Sequence, residues 1–253
     1  MTKESTIRAE LEAAGLRAAA IDRGGKKNYA ELLSRALAMR LSSALRPHFR
    51  GVLPNEDGSG QESRVRSAKG FKRLDVNYST PELGLGLGVS IKTINFPDAR
   101  SGRYTKNYTR VDAELRAEAS DYHERQPYAV MVAIVFLPID SCDDGGRGAP
   151  SSFGQAVQVF RFRANRRRPS DQSMLFEKVY IGLYATEPAE RFGDVGFFDV
   201  TTAPPRNGRP ALLGFEHMVR GIVEVYDERN RPSFVWADAE PEPLSLPLDV
   251  SEE

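Results

Sequence analysis

The chain has 253 residues, of which 40% are hydrophobic and 28% charged, enough for a sizeable buried core and too polar for a membrane protein. The apolar run Tyr128–Ile139 is shorter than the roughly 20 residues that a bilayer crossing needs. The single cysteine, Cys142, excludes an internal disulfide framework and a Cys-based zinc site, and His48, His123 and His217 are too scattered for a His-rich metal centre. Formal net charge is zero, but it sums unlike blocks. Residues 61–110 carry ten Lys/Arg against four Asp/Glu, residues 161–168 add five arginines and no acid, and Trp236–Glu253 holds six acids and no base. Such blocks point to an electrostatic footprint on part of the surface, or else to solvated loops. The charged amphipathic N-terminus reads as no signal peptide, so a cytoplasmic location is expected.

In chain order, helical spacing of Ile7, Leu11, Ala14 and Leu16 predicts a helix over 3–20 in the N-terminal segment 1–27, broken by Gly24-Gly25. A second helix is expected over 28–46, capped by Asn28, with Leu32, Leu33, Ala36, Leu37, Leu41 and Leu45 recurring at i, i+4 and i+8 and Pro47 at its end. Residues 51–63 read as a loop. Alternation of Leu74, Val76 and Tyr78 with Asp75 and Asn77 predicts a half-buried strand over 72–80. Residues 83–96 alternate strictly: Leu85, Leu87, Val89 and Ile91 share one face, and Gly84, Gly86, Gly88, Ser90 and Lys92 the other. Glu82 falls in the turn between the two strands. A third helix is expected over 107–125 on the stripe Val111, Leu115, Ala119 and Tyr122. The continuous apolar run 128–137 fits a central strand buried on both faces, with a buried helix as the competitor. Beyond it, 140–154 reads as a loop, 156–163 and 177–186 as strands, 188–210 as irregular and 211–227 as compatible with either period. The tail 241–253 is acidic and expected to be mobile.

The order helix, loop, strand with Asp75, hairpin, strand with Ser90-Ile-Lys92, helix and buried strand resembles the PD-(D/E)XK nuclease superfamily, the restriction endonuclease-like fold. The resemblance covers about residues 28–137, a little under half the chain, and implies a nuclease-like catalytic core over 28–139. It implies an α/β fold with an αβββαβ core and a mixed central sheet. Residues 140–240 are then a β-rich C-terminal extension of the same domain, for DNA contact or dimerisation. In that family an Asp on one strand and a Glu-x-Lys on the next hold one or two Mg2+ ions, with Mn2+ as a substitute. Here Ser90 stands where the family's Glu would be. A branch of the family with Ser-x-Lys draws its missing acid from the following helix, and Glu114 is the expected replacement, with Glu118 and Asp112 as alternatives. Asp75, Lys92, Glu114 and Ser90 are thus the implied catalytic residues, and Asp75, Glu114 and Glu31 the implied metal ligands.

The chemistry can be argued without the family. Carboxylates hold a hard divalent ion, which offsets charge developing on the phosphorus and acidifies bound water; a nearby ammonium orients that water. Basic residues frame the segment: Lys69, Lys72 and Arg73 before Asp75, and Arg103, Lys106 and Arg110 after Lys92, all expected on DNA phosphates. Duplex cleavage by one chain per strand implies a homodimer. No Walker loop or dinucleotide fingerprint occurs, so no nucleotide cofactor is expected. The alternative is a non-catalytic nucleic-acid-binding or assembly subunit on the same scaffold, favoured by Ser90. A third is an unrelated α/β protein.

Overall fold

The computed structural model describes residues 6–81 and 84–230. Glu82 and the acidic tail therefore lie outside the described residues. A five-stranded mixed sheet is covered by helices on both faces. Its strands are β3 (Val76–Thr80), β4 (Gly84–Thr93), β5 (Val130–Pro138), β6 (Lys178–Tyr184) and β7 (Val195–Asp199), adjacent in sequence order. β4, β5 and β6 are parallel, and β3 and β7 run antiparallel at the two edges. A separate two-stranded ribbon, β1 (Ser63–Ser67) with β2 (Gly70–Leu74), precedes β3.

β5 shows why the apolar run is a strand. All nine of its residues are buried. Val130, Val132, Ile134 and Phe136 enter one core, and Met131, Ala133, Val135 and Leu137 enter the other. That two-sided burial is what a central strand of an α/β sheet requires. The first core is closed by α2 (Arg23–Leu45) and α5 (Phe215–Asn230), through Leu33, Leu37, Leu41, Met218 and Ile222. The second is closed by α3 (Tyr108–His123) and α4 (Ser152–Phe160), through Val111, Leu115, Phe153, Val157 and Phe160. The helices α3 and α4 join successive parallel strands and lie on one face, as crossovers of one hand demand when strand order runs one way. The short α1 (Arg8–Ala14) packs beside α2.

Several expectations fail for local reasons. α2 begins at Arg23, not Asn28, because Asp22 caps it by accepting the Gly25 amide at 2.7 Å. The two glycines thus sit in the first turn instead of breaking the helix. Residues 156–163 are not a strand. Ser151 accepts the Gly154 amide, and Phe153, Ala156, Val157 and Phe160 bury one face of α4 at i, i+3, i+4 and i+7. The C-terminal half is consequently not β-rich: it adds α4, β6, β7 and α5 to the same sheet. The segment 188–210 contains β7, and the ambiguous 211–227 lies largely in α5. Alternation in β4 also slips. Tyr78 pairs with Leu87 and Ser79 with Leu85, which leaves Gly86 as a bulge. Leu85 therefore joins the α3-side core, whereas Leu87, Val89 and Ile91 join the α2-side core. Among the described residues no helix is long and apolar enough to cross a membrane.

Candidate active site

Asp75 occupies a bend between β2 and β3. The chain there leaves one ladder for another: β2 pairs only with β1, and β3 only with β4. The last β3–β4 pair is Val76 with Val89, so the Ile91 amide has run past the end of β3. The Asp75 carboxylate takes that amide instead, Oδ2 accepting from Ile91 N at 2.7 Å. A backbone donor left over by a bent strand thus fixes the acid. Burial pushes the Asp75 carboxyl up to about 6, against the Ile91 amide and Lys92, which lower it; Glu118 and Glu62 raise it further.

Ser90 and Lys92 share the face of β4 that α3 covers, two residues apart as the pleat requires. Both reach one carboxylate. Ser90 Oγ donates to Glu118 Oε2 at 2.5 Å, and Lys92 Nζ to Glu118 Oε1 at 2.5 Å. Ser90 is 1% exposed, and the Lys92 and Glu118 side chains are 19% and 23% exposed, so the cluster is open only at its charged end. Burial disfavours the ammonium, but Glu118, Asp75 and Glu114 outweigh it and raise the Lys92 pKa. Lys92 is a standing cation.

The helical acid brought to Ser-x-Lys is accordingly Glu118, not Glu114. Glu114, one turn earlier, pairs with Arg110 and is 39% exposed, reaching Lys92 only through its field. Asp112 is held in a two-pronged pair by Arg163. Glu31 is not joined to the cluster by any contact among the described residues: its side chain is 53% exposed and its partner is Lys27 at 3.6 Å. It also lies in the third turn of α2, away from the helix terminus. One further acid, absent from the expected set, bears on the cluster through its field alone. Glu62 acts on the Asp75 carboxyl, binds Arg73 at 2.6 Å, lies 3.7 Å from Arg35 of α2, and adopts φ +49. A left-handed conformation at a non-glycine marks a constrained position. It has no signature in the sequence.

The six cations expected on DNA are each engaged within the protein. Lys69 and Lys72 both pair with the buried Asp121 of α3, and Arg73 with Glu62. Arg103 donates to the Pro150 carbonyl at 2.6 Å, Lys106 pairs with Asp98 at 2.8 Å, and Arg110 with Glu114. Within 161–168, Arg166 is fully buried on Glu177 and Arg163 is bound to Asp112. His123 is buried between the Ser173 carbonyl and Glu177, a structural position.

As a donor set, Asp75 and Glu118 offer hard oxygens from two carboxylates, and Glu118 adds to the cost of charging Asp75. Among the described residues no three His, Cys, Asp or Glu side chains form a ready-made metal cage. Two carboxylates suit Mg2+, which keeps waters and takes substrate phosphate oxygens, better than an ion enclosed by protein ligands. No family model, no curated protein and no solved structure matches this chain.

Proposed function

We propose that this chain is a divalent-cation-dependent endonuclease that hydrolyses DNA phosphodiester bonds, as a restriction or defence-type enzyme on a restriction endonuclease-like αβββαβ core. The order α2, β1, β2 running into β3, β4, α3, β5 supports that core. One observation carries the reading: Ser90 and Lys92 converge on Glu118 beside Asp75. The helix supplies the carboxylate that a Ser-x-Lys strand lacks.

Asp75 and Glu118 would hold Mg2+ or Mn2+. A bound ion would neutralise charge on the phosphorane and acidify a water. The chain's own residues do the rest. The Ile91 amide fixes the Asp75 carboxylate, and Ser90 fixes that of Glu118. Lys92, kept protonated by its acidic neighbours, serves as a donor to the attacking water or the phosphoryl oxygens and not as a general base. Cutting both strands of a duplex calls for two such centres, hence a homodimer.

The test is incubation of the purified chain with mixed duplex DNA and Mg2+, alongside Asp75→Ala, Lys92→Ala and Glu118→Gln. Cleavage that requires the cation and vanishes in all three variants is expected. Cleavage untouched by Asp75→Ala and Lys92→Ala would overturn the reading. The second reading, a non-catalytic nucleic-acid-binding subunit, draws on the closed Lys92–Glu118 pair, which already satisfies both charges. DNA binding without cleavage by folded wild-type protein would favour it.

A further inference from the structure

The cations that have no acid partner lie elsewhere than the sequence suggests. β1 and β2 form a two-stranded antiparallel ribbon standing apart from the main sheet. Its inner residues Val65 and Leu74 enter the α3-side core. Its outer face carries Arg64 directly opposite Arg73, and Arg66 directly opposite Phe71. Arg64 and Arg66 are exposed and, among the described residues, have no acidic partner. Like charges facing each other across a ladder weaken it, and Glu62 offsets only the Arg73 member of that pair. The Phe71 ring is 60% exposed, with the Arg66 guanidinium 5.4 Å from its centroid. Beside β1 an open cleft of about 480 Å³ is lined by Arg64, Arg66, Arg125, Asn77, Ser79 and Gln126, with no acid among its described lining residues. Three arginines beside amide and hydroxyl donors are the groups that hold phosphate oxygens.

We propose that the β1–β2 ribbon and this cleft are the duplex-DNA-binding surface of the chain, with the ribbon's outer face in the major groove and Arg64, Arg66 and Arg125 on backbone phosphates. This rests on the nucleic-acid part of the proposed function and not on catalysis. A two-stranded ribbon fits a B-form major groove, about 12 Å wide, whereas the deep, narrow A-form major groove excludes it. The exposed Phe71 supplies an apolar surface for thymine methyls. β2 ends at Leu74, immediately before Asp75, so a duplex seated on the ribbon is delivered to the carboxylate cluster.

The experiment measures binding of a fluorescent duplex oligonucleotide in EDTA across a salt series, so that cleavage does not enter. The probes are wild-type chain, the triple variant Arg64→Ala/Arg66→Ala/Arg125→Ala, and Phe71→Ala. Wild-type protein should bind duplex DNA with a steep salt dependence. The triple variant should bind at least about tenfold more weakly, with the slope of log K against log salt reduced by about 3, one for each phosphate that an arginine no longer neutralises. Phe71→Ala should weaken binding while leaving the slope in place. All three substituted arginines are exposed, and an unchanged melting temperature verifies the fold. The proposal is overturned by a triple variant that binds like wild type, by wild-type chain that ignores duplex DNA, or by tighter binding to duplex RNA than to duplex DNA. Loss of binding in the triple variant, without any cleavage by wild type, would uphold this surface while removing the hydrolase.

Discussion

Lys92 of β4 and Glu118 of α3 are joined by an ion pair with a nitrogen–oxygen separation of 2.5 Å. It fastens the helix to the strand at the point where Ser90 makes its own bond to the same carboxylate. Two neighbouring acids, Glu114 and Glu118, are thereby told apart. Glu118→Gln keeps the size of the side chain but removes its charge, and should lower cation-dependent cleavage by about 10²–10³-fold, the scale of losing a positioned charged group. Glu114→Gln breaks only an exposed pair with Arg110 and should cleave much as wild type does. Single-turnover rates on a duplex substrate measure both.

If the proposed cleavage takes place, acidity at Asp75 should set its low-pH limb. Its folded value is about 6, against 3.8 for an unperturbed aspartate. A carboxylate must shed its proton to bind a cation, so metal affinity should fall as pH drops through about 6. Lys92, with its pKa raised, should add no limb near neutrality. Rate measured against pH at subsaturating Mg2+ should therefore rise through that region, and saturating Mg2+ should move the limb downward.

The same group gives a stability signature in the absence of metal. Between pH 3.8 and about 6 the folded chain holds this proton while the unfolded chain has released it. Stability contributed by Asp75 is therefore full at low pH and is lost as pH rises through that window. Asp75→Asn should abolish this component and melt above wild type at neutral pH in EDTA. Added Mg2+ should raise the melting temperature of wild type and leave that of the variant where it was.

A separate network holds the start of β5 and β6 to the end of α3. Glu177 is fully buried and receives Arg166 at 3.0 Å, Arg229 of α5 at 3.3 Å and the Met131 amide at 2.8 Å. Burial raises the carboxyl pKa, but His123, the Met131 amide and Arg166 prevail and hold it below its usual value. Glu177→Gln would leave two buried guanidinium groups without a counter-charge. It should cost about 3–5 kcal/mol of unfolding free energy, measurable by urea denaturation.

Gly88 lies opposite Asn77, two residues before Ser90, where a Cβ would meet Met131 Sδ at 2.7 Å and Leu74 Cδ1 at 2.9 Å. Gly88→Ala should destabilise the chain by about 1–3 kcal/mol through overpacking. Because Leu74 is the base of the ribbon, duplex affinity should fall with it, which the binding assay reads.

Much of this was legible in the residues. The alternation over 83–96 located β4 and the continuous apolar run 128–137 located the central strand, but the single strand expected over 72–80 breaks at Asp75, so that Leu74 enters the α3-side core and Val76 the α2-side core. The choice between Glu114 and Glu118 was not legible. Both lie on the same side of α3, and which turn stands level with Ser90 depends on the path of residues 94–107, which no periodicity encodes. The run 156–160, short, apolar and carrying two valines, fits a strand as readily as a helix, and the Ser151 cap and burial at i, i+3, i+4 and i+7 make it a helix. β1 offers a single buried apolar residue, Val65, so its pairing with β2 leaves little trace. Charge density along the chain also misled. A basic block shows how many cations there are, but the acids that consume Lys69, Lys72 and Arg163 come from distant positions on α3.

The bend at residue 75 makes the acid a fulcrum. Beyond it, β3 is clamped by β4 and by the Leu53–Asn77 bridge. Before it, the ribbon is tethered to α3 chiefly through Asp121 and Tyr122. No residue intervenes between the end of β2 and Asp75, and Asn77 of β3 donates to Ser63 of β1 at 2.6 Å, so the ribbon and the acid are braced against the same strand. A duplex on the proposed surface would meet an acid already held in place by the Ile91 amide.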